Sequence, residues 1–388
     1  MGVSGWLVLE LTNSPWQLAL VGVFRSAPLL AFGLFAGLIA DRMSRQRIMM
    51  VAQTVSSLVA ATLLLLVVSA AIQPWHIFLG TFLLGVNNIL EIPSRRSLIY
   101  DMVGPQHVVS AMSLETISNT LGKFAGPLLA GLFIELTGFQ GAYMLLLLAY
   151  VVSLLLISQV REKLTRPLAL AQPIWQSLVS GIRYAIQNRF VAAVLGITII
   201  MNALAFSYVQ LLPVIARDHL QVGPGLMGVL ASADGIGTFI GAMLMAMLGN
   251  LRLHGRIFVL GSLLELVSLV AFALSPNYLL SFALLLLVGM GNAGFSTMQS
   301  TIILLSSTPG MRGRALGVLG LCIGATPLGL LELGAMAEVF GARAAIALNA
   351  VVGLCLLLPL LISTPVLSGT PTPGTDTDDS QTAKPGDR

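Results

Sequence analysis

Along this chain, long apolar runs alternate with short segments of charge, proline and glycine. The runs fall at about 15–40, 48–71, 75–99, 108–135, 139–160, 191–215, 224–249, 256–275, 277–303, 314–337 and 341–363. A helix needs roughly 20 apolar residues to cross the hydrocarbon core of a bilayer. These runs are apolar on every side rather than along one stripe, so they predict eleven lipid-embedded helices, not surface helices over a water-soluble core. The segment Val3 to Leu11 is apolar but too short to cross, and it reads as the tail of a truncated first helix.

The longest internal connection lies at 161–190. In its second part Ile174, Leu178, Ile182, Ala185 and Ile186 recur at helical spacing, which fits either an amphipathic helix on the membrane surface or a plain linker helix. From Ser363 onward Thr, Pro, Gly and Asp dominate, a composition that predicts a disordered tail. The expected organisation is a helical bundle over 1–160 (helix 1 partial, helices 2–6), a linker over 161–190, a six-helix bundle over 191–363, and a tail over 364–388.

Composition makes lipid the solvent for most of the chain. Of 388 residues 9% are charged and 56% hydrophobic, with a mean hydropathy of +0.92. Average soluble domains carry about 25% charged residues. The net charge of +4 comes from basic residues set between the runs, which makes them topology signals rather than a nucleic-acid surface. With Arg42, Arg45 and Arg47 assigned to the cytoplasmic side and the spans alternating, 16 of the 20 basic residues fall inside, Arg217 and Arg343 fall outside, and Arg25 and Lys123 lie within spans. The expected location is the plasma membrane, with the C-terminal tail in the cytoplasm. The two cysteines, Cys322 and Cys355, lie inside apolar runs and the four histidines are scattered, so neither a disulfide framework nor a metal site is expected. No phosphate-binding loop or catalytic constellation is legible, which argues against an ATP-driven pump and against an enzyme, and implies no cofactor.

The two halves resemble each other. An offset of 209 residues carries Arg47-Ile48 onto Arg256-Ile257, Asp41 onto Asn250 and Arg25 onto Asp234, while an offset of 204 carries Gly85 and Asn88 onto Gly289 and Asn292. Fused repeats leave such a trace, and a substrate path between them is the geometric consequence.

Two motifs carry a family resemblance. Gly37-Leu-Ile-Ala-Asp41-Arg42-Met-Ser-Arg45-Gln-Arg47 ends one span and opens the next, and it closely resembles the loop between helices 2 and 3 of the major facilitator superfamily. Gly122-Lys-Phe-Ala-Gly126-Pro127-Leu-Leu-Ala130-Gly131 resembles the helix-5 motif of that superfamily's antiporters, although its glycine spacing also suits a generic packing face. Trp6 to Arg47 and Glu91-Ile-Pro93-Ser-Arg95-Arg96 look most like bacterial exporters of the enterobactin-exporter type. The resemblance implies two six-helix bundles related by a pseudo-two-fold axis, the first incomplete, and alternating access to a site between them. It also implies that the first motif locks one conformation, and that helix 5 packs on helix 8 and helix 2 on helix 11.

Ionisable groups inside a membrane cost about 2.5–3.5 kcal/mol each unless paired or hydrated, so they mark paths or gates. Here they are Arg25, Lys123, Asp234, Glu265 and Glu332, with Glu91 and Arg95 nearer the inner end. Depth counting at about 1.5 Å per residue suggests two pairs across the halves, Lys123 with Asp234 and Arg25 with Glu332, either as proton-coupled gates or as permanent ion pairs. Glu91 and Arg95, four apart, can pair on one helix face; Glu265 has no evident partner. Asn88, Asn202, Gln210, Asn292 and Gln299 are candidates for lining a substrate cavity or for bonding helices together. The expected function is proton-coupled export of amphipathic small molecules such as drugs, siderophores or lipids by a monomer; the alternatives are a nutrient symporter or a truncated, non-transporting membrane protein.

Overall fold

The computed structural model of the chain describes residues 2–42, 44–160, 174–247, 254–308 and 311–363, with their side chains except those of 33–42, 105, 109, 174–178, 362 and 363. Every regular element among the described residues is helical. Helices α1 (Gly2–Thr12), α2 (Pro15–Arg42) and α3 (Arg45–Val68) come first. The run Pro74–Ser158 follows and is broken at Gly104 and Gly138, both at a φ of 70°, where glycine alone is unstrained. The breaks divide it into α4 (74–103), α5 (105–137) and α6 (139–158). Helix α7 (Ile174–Gln187) belongs to the linker. Then come α8 (Arg189–His219), which contains two π-helical turns, α9 (Pro224–Met247), α10 (His254–Leu274), α11 (Tyr278–Ser306), α12 (Arg312–Phe340), which bends between Ile323 and Thr326, and α13 (Ala342–Ser363).

Nine helical runs among the described residues are long and apolar enough to cross a membrane. One of them, Gln106–Ser158, holds both α5 and α6, and α2 is a further span whose side chains are only partly described. The eleven predicted spans are therefore all present as helices. The predicted gap between the third and fourth narrows to the single break at Gly104, because nothing before that glycine forces the chain out of the helix.

Helices α1–α6 and α8–α13 form two bundles. Asn188 and Asn277 start α8 and α11 by accepting from the first free amides, as N-cap residues do. Two contact lines join the bundles, α5 against α9 and α2 against α12, as the resemblance implied. On the first, Gly131 leaves no room for a Cβ against Pro224 and Gly228, and Gly228 none against the Pro127 carbonyl; on the second, Gly334 is filled by Ala19 and Trp16.

All these contacts lie at one end of the molecule. At the other, which carries Arg45, Arg95, Arg96, Arg189 and Arg312 and is called the basic end below, Cβ positions at Gly122 and Gly126 on α5 and at Gly313, Gly317 and Gly320 on α12 would meet nothing within 4 Å. Among the described residues the bundles are closed at the end opposite the basic one and open toward it. Helix α7 rests on the start of α12, with Gly181 against the Arg314 backbone and Val318, and leaves Val179, Ile182 and Ile186 exposed. The linker before residue 174 and the tail after 363 lie outside the described residues.

Candidate functional site

The site grows from two matched helix crossings. In the first bundle Gly85 on α4 admits the backbone of α2 at Arg25; in the second Gly289 on α11 admits the backbone of α9 at Asp234. A Cβ at either glycine would collide with the carbonyl of the charged residue. The repeat offsets therefore relate not only the sequences but the contacts, and each bundle carries an ionisable group at its tightest crossing.

Asp234 faces the other bundle. Its neighbour Gly235 packs against the Phe124 backbone and Cβ on α5, which brings Lys123, exposed on that helix, within electrostatic range of the Asp234 carboxylate. Among the described residues the two do not close to an ion pair, and Asp234 Oδ1 is buried without a hydrogen-bond partner. Behind it on α10 lies Glu265, fully buried. Gly261 and Gly291 let α10 and α11 meet there, and the Asn292 amide approaches the carboxylate, yet neither oxygen completes a hydrogen bond of normal geometry. Tyr208 on α8 lies within electrostatic range of both acids. Four helices of one bundle thus surround two acids that lack full satisfaction, with a lysine of the other bundle facing them.

The structure does not bring Arg25 and Glu332 together. Glu332 points to α13, where Asn349 Nδ2 donates to its Oε2 at 3.2 Å, while Arg25 shares the surroundings of Tyr150 with Glu91. The depth count set them only roughly level, at about 10 and about six residues into their spans, and the Glu332 side chain leaves its helix toward α13. The Glu91–Arg95 pair forms at 3.3 Å and belongs to a larger network missed in the sequence, in which Glu115 on α5 holds Arg95 and Arg96, each at 3.4 Å. Arg45 of the expected lock loop pairs with Asp101 and donates to the Ser97 carbonyl, while Arg47 is exposed. The side chains of Gly37, Asp41 and Arg42 lie outside the described ones. Glu115 has no arginine near it in sequence, so no local pattern pointed to it.

Three of the polar cavity candidates are bound up between helices. Asn202 Nδ2 donates to the Thr198 carbonyl, and its Oδ1 accepts from Thr326 on α12. Gln299 Nε2 donates to Thr198 Oγ1 at 2.6 Å. Gln210 Nε2 reaches across the bundles to the Leu18 carbonyl at 2.6 Å. Asn292 sits beside Glu265, and Asn88 is exposed. In the antiporter-like motif Pro127 and Gly131 make the contact with α9, whereas Gly122 and Gly126 face open space. Among the described residues no cluster of His, Cys, Asp and Glu suits a metal ion.

Comparison with known proteins agrees with this geometry. The enterobactin exporter EntS of Shigella flexneri is 25% identical over 362 residues, which cover 90% of this chain and 85% of that protein. The staphyloferrin A transporter of Staphylococcus aureus is 23% identical over 340 residues, covering 87% and 84%. Among solved structures, a bacterial homologue of the human lysosomal transporter Spinster, inward-facing and occupied, has a TM-score of 0.72 at 15% identity over 93% of this chain and 91% of that one. The nucleoside transporter NupG has a TM-score of 0.70 at 14% identity over 93% and 94%. A family profile described as transmembrane secretion effector matches residues 2–384. This multi-pass membrane protein, with its two bundles and the acids at their junction, belongs to the transmembrane secretion effector family of the major facilitator superfamily.

Proposed function

We propose that the chain is a proton-driven exporter that carries amphipathic, siderophore-like small molecules by alternating access, with Asp234 as its coupling acid. The observation that carries this reading is the placement of Lys123 within electrostatic range of Asp234 across the bundles, with the buried Glu265 behind them. A carboxylate between two bodies that must separate is attracted to the lysine when ionised and loses that attraction when protonated, so proton binding and separation of the bundles are linked. The substrate class and the direction rest on the relatives, one named as an enterobactin exporter and the other as a staphyloferrin A transporter. With the basic end in the cytoplasm, as the positive-inside rule directs, the opening between the bundles faces the side from which an exporter loads. The bundles over 1–160 and 191–363 are the moving bodies, the 161–190 linker and the tail are cytoplasmic, and a monomer suffices because the path runs within one chain.

The test uses inverted membrane vesicles with an imposed proton gradient. Addition of a catecholate or carboxylate siderophore should dissipate the gradient when the chain is present and not with Asp234→Asn. Transport by Asp234→Asn at the wild-type rate and with wild-type proton movement would remove Asp234 from the coupling role.

A further inference from the structure

The closed end of the molecule uses one electrostatic device twice. Helix α2 begins Ser14-Pro15-Trp16 and helix α9 begins Gly223-Pro224-Gly225, segments that the 209-residue offset superimposes. A proline in the first turn has no N–H of its own, and the amides after it are free donors at the positive end of the helix dipole. Each of these two amino ends receives a carboxylate from the opposite bundle. Glu338, near the end of α12, accepts from the Trp16 amide at 3.1 Å and from Ser14 Oγ at 3.0 Å. Glu135, near the end of α5, lays Oε2 against Gly225 so closely that a Cβ there could not fit, with Gly223 beside it.

The correspondence extends to the packing underneath. An offset of 203 carries Glu135 onto Glu338 and Gly131 onto Gly334, and the partners Gly225 and Gly228 fall back by 209 onto Trp16 and Ala19. Both contacts in one interface therefore have their image in the other. The same end holds a third contact of matching sign, in which Arg217 of α8 donates to the Leu9 carbonyl at 3.2 Å and to Asn13 Oδ1 at 2.5 Å, where α1 presents its negative end.

We infer that Glu135 and Glu338 are paired latches, each a carboxylate of one bundle held on the amino end of a helix in the other, which together bias the transporter toward closure at the end opposite the basic one. Opening that end pulls both carboxylates off their helix ends, while opening the basic end leaves both seated. The latches act on the conformational equilibrium alone, so they do not depend on the identity of the substrate or of the coupling ion.

The test measures the distance between the bundles at that end. Spin labels are placed at Ala71→Cys and Leu279→Cys, exposed positions on opposite bundles, in the full chain with Cys322→Ser and Cys355→Ser, reconstituted in lipid nanodiscs. The unmutated latches should give a distribution dominated by the short distance. Glu135→Gln or Glu338→Gln alone should raise the ratio of long to short distances about two- to fivefold, and the double variant on the order of tenfold, as expected for charges at helix ends. Glu10→Gln serves as the control, because that acid is bonded to Trp6 in its own helix, and it should shift nothing. A double variant with the wild-type distribution would overturn the inference, and so would an equal shift from Glu10→Gln. If the double variant does not yield monodisperse protein, the two single variants decide by the same criterion.

Discussion

The two bundles treat their ionisable groups in opposite ways. In the first, Arg45, Glu91, Arg95, Arg96, Asp101 and Glu115 gather at the basic end, where each has an ionic partner across α3, α4 and α5. In the second, Asp234 and Glu265 sit deep among α8–α11 with carboxylate oxygens that have no hydrogen-bond partner among the described residues. Paired charges near a surface fix geometry at modest cost, whereas an unsatisfied buried acid costs stability and persists where protonation or binding uses it. The pseudo-symmetric crossings set a base against an acid, because the same backbone position carries Arg25 in one bundle and Asp234, with a buried oxygen that lacks a hydrogen-bond partner among the described residues, in the other. On the proposed reading, the paired charges of the first bundle act as a frame and the buried acids of the second supply the coupling.

The largest effect expected from this division is functional. Asp234→Asn should cut substrate-driven proton movement in vesicles at least about tenfold, the scale of a single coupling group, with the unfolding midpoint in detergent unchanged. Glu115→Gln should do the reverse and leave coupling intact. If Glu115→Gln abolished coupling as fully, the division between frame and working part would fail.

Packing should show the two bundles alike. Gly85→Val and Gly289→Val each force a side chain into the carbonyl of the facing charged residue. Each should cost about 1–3 kcal/mol, the usual range for overpacking, read as lower thermal stability. Unequal losses would mean that the crossings are not equivalent despite the repeat. One step smaller are the acids themselves. Glu115→Gln leaves two arginines without their shared partner and should cost on the order of 1 kcal/mol. Glu265→Gln removes a carboxylate that has no full partner to lose, so it should be neutral or stabilising by up to about 1 kcal/mol. A Glu265→Gln protein less stable than Glu115→Gln would show that Glu265 is held by interactions as strong as those of the paired acids.

Much of this was legible in the sequence because the bilayer allows few solutions. Backbone groups in hydrocarbon must bond within a helix, so apolar run length alone gave the spans. Depth counting set Lys123 and Asp234 at one height, and because α5 and α9 run side by side through glycine contacts the two come within electrostatic range without closing to an ion pair among the described residues. The same counting failed for Arg25 and Glu332, since height says nothing of the face from which a side chain leaves, and Glu332 leaves toward α13. For the polar residues the sequence left two roles open, lining a cavity or bonding helices together, for a related reason. An amide in an apolar run signals an unmet bonding need, but whether a substrate or another helix meets it is decided by packing, and for Asn202, Gln210 and Gln299 a helix does. The Glu115 network was missed because its acid and its arginines lie on different helices, 19 residues apart for the Arg96 contact.

The smallest expected effect probes how that network is built. Glu91 and Arg95 are an i, i+4 pair on α4, with the acid on the amino-terminal side, the favourable orientation for a helix. Taken alone, such a pair stabilises by about 0.3–0.5 kcal/mol. Arg95 keeps Glu115 when Glu91 is neutralised, so its charge is never left bare, and Glu91→Gln should cost no more than about 0.3 kcal/mol by thermal unfolding. In a Glu115→Gln background the same change removes the last ionic partner that Arg95 has among the described residues, and its cost should rise to about 1 kcal/mol. That coupling, measured as a double-mutant cycle, separates a shared network from two independent contacts. Equal costs in both backgrounds would mean that Glu91 and Glu115 act separately on Arg95, and the basic end of the first bundle would then be a set of local pairs rather than one frame.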